Sequence, residues 1–203
     1  MKKLFSFAII LSLILSGIQC SVYETLTNLS RLKFKVGNVN GFQINGISFS
    51  GKSKLADFNP LDLLKISSAF AQGSLPASFI LNVEAKNPND GTGGYKKTDA
   101  TLQNFRWRLF LDEKETISGD IDKPVTVPGT GDVTTIPLRI DIDLMKFFKD
   151  KGYESIINLA LALGGAQGSS TKISLYATPT VSSPLGNITY PGELKLVDYE
   201  FSK

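Results

Sequence analysis

The chain has 203 residues, a formal net charge of +3, one cysteine and no histidine. That inventory excludes Ser-His-Asp and Cys-His catalysis and zinc sites built from His and Cys. A lone cysteine also leaves no intrachain disulfide, and the near-neutral balance supplies no field for nucleic acid.

In chain order, Lys2 and Lys3 precede an apolar run over residues 4–18 that is interrupted only by small residues. A bilayer crossing takes about 20 apolar residues. This run is shorter and fits the apolar region of an export signal. Cys20 follows Gly17-Ile18-Gln19. The segment resembles the lipobox of bacterial lipoprotein precursors, whose cysteine is acylated and becomes the first residue of the mature protein. Gly17 and Gln19 stand where that pattern prefers leucine and a small residue. A plain secretory signal and a short uncleaved anchor are the alternatives. The expected organisation is a signal peptide over 1–19, a lipid-attached tether over 20–30 and one β domain over 31–203.

Leu32, Phe34 and Val36 alternate with Lys33 and Lys35, a period-2 strand that Phe42 and Ile44 continue until Asn45-Gly46 turns it. A helix follows, with Asn59 as N-cap and Pro60 at its first position. Leu61, Leu63, Leu64, Ala69 and Phe70 supply its expected apolar face, and Gly73 its stop. Residues 78–86 alternate again, with Phe79, Leu81, Val83 and Ala85 on one face. Asn87-Pro88-Asn89 ends that strand, a turn motif whose role is read as structural. Further strands are expected around Phe105, Trp107 and Leu109, around Ile117 to Val127, over residues 133–142, at Ile173 to Ala177 and at Leu194 to Leu196. Asp143 caps a second helical region, which Gly152 splits and Gly164-Gly165 stops. About seven short strands with one or two helices predict a mainly β protein, a β-sandwich rather than a parallel α/β sheet.

The candidate sites are few. Trp107 is read as a core anchor, and Arg106 and Arg108 as solvated charges on an outer sheet face. Asp120, Asp122, Asp141 and Asp143 offer oxygens but lack the twelve-residue loop and glycine of a calcium hand. No catalytic residue, metal or cofactor is expected. Phe147, Phe148, Ile156 and Leu159 form the second helical region's apolar side, which serves either the core or an interface for an apolar ligand.

The run Phe79-Ile80-Leu81-Asn82-Val83-Glu84-Ala85-Lys86-Asn87-Pro88-Asn89 resembles the signature of the late embryogenesis abundant type 2 family, the water stress and hypersensitive response domain. The later order is similar too. A strand with a turn over 105–114 is followed by a Gly-x-Ile segment, by Pro128-Gly129, by a Val-x-x-Ile-Pro-Leu strand over 133–138 and by a closing pattern over 185–194. The resemblance covers residues 30–198 and does not account for an insert at 55–74. It implies an immunoglobulin-like or fibronectin-like Greek-key sandwich with a helix across one end. Together with the lipobox it implies a non-catalytic lipoprotein of a bacterial cell envelope, with a stress-protective role, as in desiccation, or an interaction role. Its partner would be the membrane, through several acyl chains, since one binds only marginally. Ser21 stands where an aspartate would mark inner-membrane retention in some bacteria, which favours the outer membrane. The alternative is carriage of a lipid or other apolar ligand, or docking of an envelope protein, at the four apolar residues named above.

Overall fold

The computed structural model describes residue 27 and residues 31–164, 173–183 and 186–196. The signal segment, Cys20, nearly all of the tether and the glycine- and serine-rich stretch from residue 165 lie outside the described residues. The strands are β1 (Lys33–Ile44), β2 (Ile47–Ser48), β3 (Pro76–Lys86), β4 (Ala100–Leu111), β5 (Lys114–Gly119), β6 (Val125–Val127), β7 (Val133–Asp143), β8 (Ile173–Ser183), β9 (Gly186–Thr189) and β10 (Leu194–Leu196). The helices are α1 (Pro60–Ala71), α2 (Leu144–Phe148) and α3 (Tyr153–Leu163).

The strands form a mainly β structure of two antiparallel sheets, a β-sandwich. One sheet has the order β2-β1-β3-β7 and the other β10-β8-β4-β5, with β6 on β4 and β9 on β8. β3 pairs with β7 along its full length, from Pro76↔Asp143 to Lys86↔Val133. β4, which lies between them in sequence, pairs with β8 in the opposite sheet. That exchange between sheets is the immunoglobulin-like Greek key.

Period-2 alternation decides the inward faces. Phe79, Leu81 and Val83 of β3, Phe105, Trp107 and Leu109 of β4, and Ile136, Leu138 and Ile140 of β7 are all buried. Phe34 and Phe105 meet across the two sheets with ring centroids 5.2 Å apart. Each such side chain contributes about 1.5–3 kcal/mol through burial. Every buried core residue among those described lies between Leu32 and Leu196.

Trp107 is accommodated by small cross-strand partners, Gly119 on β5 and Ala177 on β8. A Cβ at Gly119 would sit 2.5 Å from the indole ring. That position therefore requires glycine for close approach, although its backbone angle is ordinary.

The structure departs from the sequence expectation in four places. Ten strands are present among the described residues rather than about seven, because the chain turns back at Asn45-Gly46 as β2, the 117–127 segment divides into β5 and β6, and β8 runs on through Pro179 to fold back as β9. Asp120 makes that division. Its Oδ1 accepts the Phe105 and Ile121 amides at 2.6 and 2.8 Å and ends β5. In α1 the cap is as expected, with Asn59 Oδ1 accepting the Asp62 amide at 2.8 Å. The buried residue, however, is Ile66, while Leu61 and Leu64 are 71% and 62% exposed. At 3.6 residues per turn Leu63, Ala69 and Phe70 fall on the Ile66 side, and Leu61 and Leu64 fall opposite.

Candidate functional site

The two ends of the sandwich are built differently. At the end where β1 begins, Asn87 and Asn89 are 0% and 1% exposed. Asn87 Nδ2 donates to the Thr98 and Val127 carbonyls at 2.8 and 3.0 Å. Its Oδ1 accepts from the Asn89 amide at 3.1 Å and from Asn89 Nδ2 at 2.9 Å. Arg31 Nη1 then donates to Asn89 Oδ1 at 2.9 Å. Pro88 holds the chain extended between the two asparagines. One short motif thus ties together the start of β1, the 90–99 loop and the turn after β6. Gly129 belongs to the same knot, because a Cβ there would lie 2.4 Å from the Asn89 carbonyl oxygen.

Beside this knot a cleft of about 630 Å³ opens between β1 and β10. Its cations are Arg31, Lys33 and Lys195, and Leu32, Phe34 and Leu196 form its apolar floor. No acidic side chain lines it among the described residues. The Arg31 guanidinium also lies 3.6 Å from the centroid of the Tyr95 ring, and Tyr95 is 40% exposed. On the outer face Lys33 of β1 stands directly across from Lys86 of β3, and Lys86 across from Val133 of β7. Lys33, Lys96 and Lys97 are exposed, and Lys86 is half-buried. These lysines have no ion-pair partner among the described residues. Neither sequence spacing nor composition signalled this assembly, because register and the approach of β1 to β10 are non-local.

At the opposite, helical end, Phe148, Ile156 and Leu159 are buried and Phe147 is half-buried. All four belong to the apolar core or pack against it. Neither the β1–β10 cleft nor the two shallower hollows on the sheets include them. Asp143 ties this end together. Its Oδ1 accepts the Leu75 and Met145 amides at 2.9 and 3.0 Å, and its Oδ2 accepts the Ser74 hydroxyl at 2.8 Å. Burial pushes its carboxyl pKa up, but these hydrogen bonds outweigh burial and hold it below the usual aspartate value.

The other candidates separate in space. Asp120 ends β5 while Asp143 caps α2, and no group of three metal-binding side chains occurs among the described residues. Arg106 is exposed. Arg108 is engaged: its guanidinium pairs with both carboxylate oxygens of Glu193 at 2.8 and 2.6 Å and with Glu115 at 2.6 Å. The Glu193 carboxyl is correspondingly held below its ordinary value by the hydrogen bond from Arg108. Trp107 is 4% exposed, and its indole Nε1 has no hydrogen-bond partner among the described residues.

No family model matches the chain, and no curated protein matches it. Among solved structures it is similar to a protein from Archaeoglobus fulgidus, at 12% identity over 80% of this chain and 97% of that one, with a TM-score of 0.32. At that level of likeness neither fold nor function is transferred.

Proposed function

We propose that this protein is a non-catalytic bacterial lipoprotein. Cys20 is its acylated residue, and a domain resembling the late embryogenesis abundant type 2 family is displayed in the cell envelope. The observation that carries the reading is the coincidence of two features. The apolar run ending at Cys20 has export-signal length, and the Asn87-Pro88-Asn89 motif is a buried hydrogen-bonded knot rather than an exposed loop. The domain's role is protection or interaction under stress, and the outer membrane is the favoured address. Carriage of an apolar ligand at the helical end has less support, because Phe148, Ile156 and Leu159 are packed into the core.

The test is the intact mass of the protein extracted from membranes of its native host, beside Cys20→Ala. The expected species begins at residue 20, carries diacylglyceryl and acyl groups, and is absent in the variant. An unmodified soluble species in the native host removes the anchor. Survival of drying by cells that lack the protein, compared with cells that retain it, tests the stress role separately.

A further inference from the structure

We infer that the Arg31 end of the sandwich is a docking surface for anionic phospholipid headgroups, formed by Arg31, Lys33, Lys86, Lys96, Lys97 and Lys195. This inference rests on the lipid-anchored reading for its geometry, because the tether enters the domain at Arg31.

Three observations converge. First, Lys33 and Lys86 occupy directly opposed positions on an antiparallel pair, with no carboxylate among the described residues taking up either charge. Like charges so placed destabilise a sheet. Two residues along, Lys35 faces Glu84 and pairs with it at 3.1 Å, so the same ladder shows what compensation looks like. Second, two of the acids at this end are already hydrogen-bonded by the chain: Asp90 accepts from the Thr92 amide and hydroxyl at 3.0 and 2.7 Å, and Asp99 accepts from the Gly129 amide at 2.8 Å, while Asp99 and Asp132 are both exposed. Third, the cations flank two exposed side chains suited to a headgroup boundary, Tyr95 and the 51% exposed Val133.

Length agrees with charge. An extended chain spans about 3.3–3.6 Å per residue, so residues 20–30 hold Arg31 within about 40 Å of the bilayer. Tethering at that reach makes the second contact intramolecular and raises its effective concentration. The occupant is therefore the membrane that carries the anchor. The cleft, with three cations and no acid among its described lining residues, takes headgroup phosphates, while the outer lysines lie over the surrounding negative surface.

The test separates this surface from the anchor. Because the described core lies between Leu32 and Leu196, the chain from residue 20 onward keeps the folded unit. It is made with Cys20→Ser, so no acyl group contributes. Co-sedimentation is measured with vesicles of phosphatidylcholine alone and of phosphatidylcholine with phosphatidylglycerol. Binding is expected to the anionic vesicles only. A basic residue at a charged surface is worth about five-fold in partitioning, so Lys33→Gln with Lys96→Gln and Lys97→Gln should weaken binding about a hundred-fold. Removing the same charge at the helical end, with Lys65→Gln, Lys146→Gln and Lys149→Gln, should leave it nearly unchanged. Equal loss in both triple variants, equal binding to neutral vesicles, or no binding at all overturns the surface and leaves the Cys20 anchor standing. Thermal melting of Lys33→Gln guards against a folding artefact, and relief of the like-charge pair predicts an unchanged or higher midpoint. A lower midpoint would mean that Lys33 serves the fold instead. If native Cys20 proves unmodified, the anchor falls and the vesicle result is read on its own.

Discussion

The two ends of this sandwich solve the same problem with opposite chemistry. At the helical end, α3 closes the core with Ile156, Ile157, Leu159 and Leu161, all buried. At the Arg31 end, the Asn87–Asn89 knot closes it with hydrogen bonds to loop carbonyls and amides. Apolar closure depends on volume and tolerates exchange among similar shapes. Polar closure depends on direction and tolerates almost none, because a buried carbonyl left without its donor loses its compensation. The difference teaches that the short turn motif is the more exacting of the two.

The largest effect should therefore come from Asn87→Leu, a change of similar volume. It strands the Thr98 and Val127 carbonyls and releases Asn89, at about 1–3 kcal/mol for each unsatisfied group. Urea denaturation should show a loss of at least about 3 kcal/mol, and a loss below 1 would mean that water replaces the side chain. Next comes Ile156→Ala at the other end, expected to cost about 2–5 kcal/mol. Ile156→Leu at the same site should cost less than about 1.5 kcal/mol. If Ile156→Leu proved as damaging as Asn87→Leu, the contrast between the ends would disappear.

A smaller effect belongs to Asp143. Its folded pKa is depressed, so its contribution is present above the ordinary aspartate range and is lost as pH falls through the lower folded value. Asp143→Asn should therefore flatten the fall in stability between neutral pH and about pH 3, measured by urea midpoints at each pH. A variant that tracks the parent would show that the hydrogen bonds, not the charge, carry the cap. The smallest effect is expected for Leu61→Gln, on the exposed side of α1. A surface change there should stay within about 0.5 kcal/mol, and a larger loss in melting would reveal packing on that face.

How much of this was legible in the sequence follows from which contacts are local. The strands of Phe79 to Ala85 and of Ile136 to Ile142 announce themselves through alternation, and the Asn59-Pro60 start of α1 through its cap. The orientation of α1 was misread. Five apolar residues surround most of its circumference, and only tertiary contact decides that Ile66 and not Leu61 or Leu64 faces inward. The β5–β6 division was hidden because the Asp120 carboxylate ends β5 by capping an amide of β4, fifteen positions away. Asn87-Pro88-Asn89 was legible as a turn, but its burial was not, since the partners come from Thr98, Val127 and Arg31. The cleft between β1 and β10 had no local signature, as its lysines are scattered along the chain.

Pro137 has one further consequence. It lies midway along β7, opposite Asn82, on the outermost strand of its sheet among the described residues. A second copy approaching edge-on would find a missing amide in the middle of the row it needs for pairing. Wherever many copies share a small area, that gap works against strand-by-strand growth into fibres, and crowding need not become aggregation.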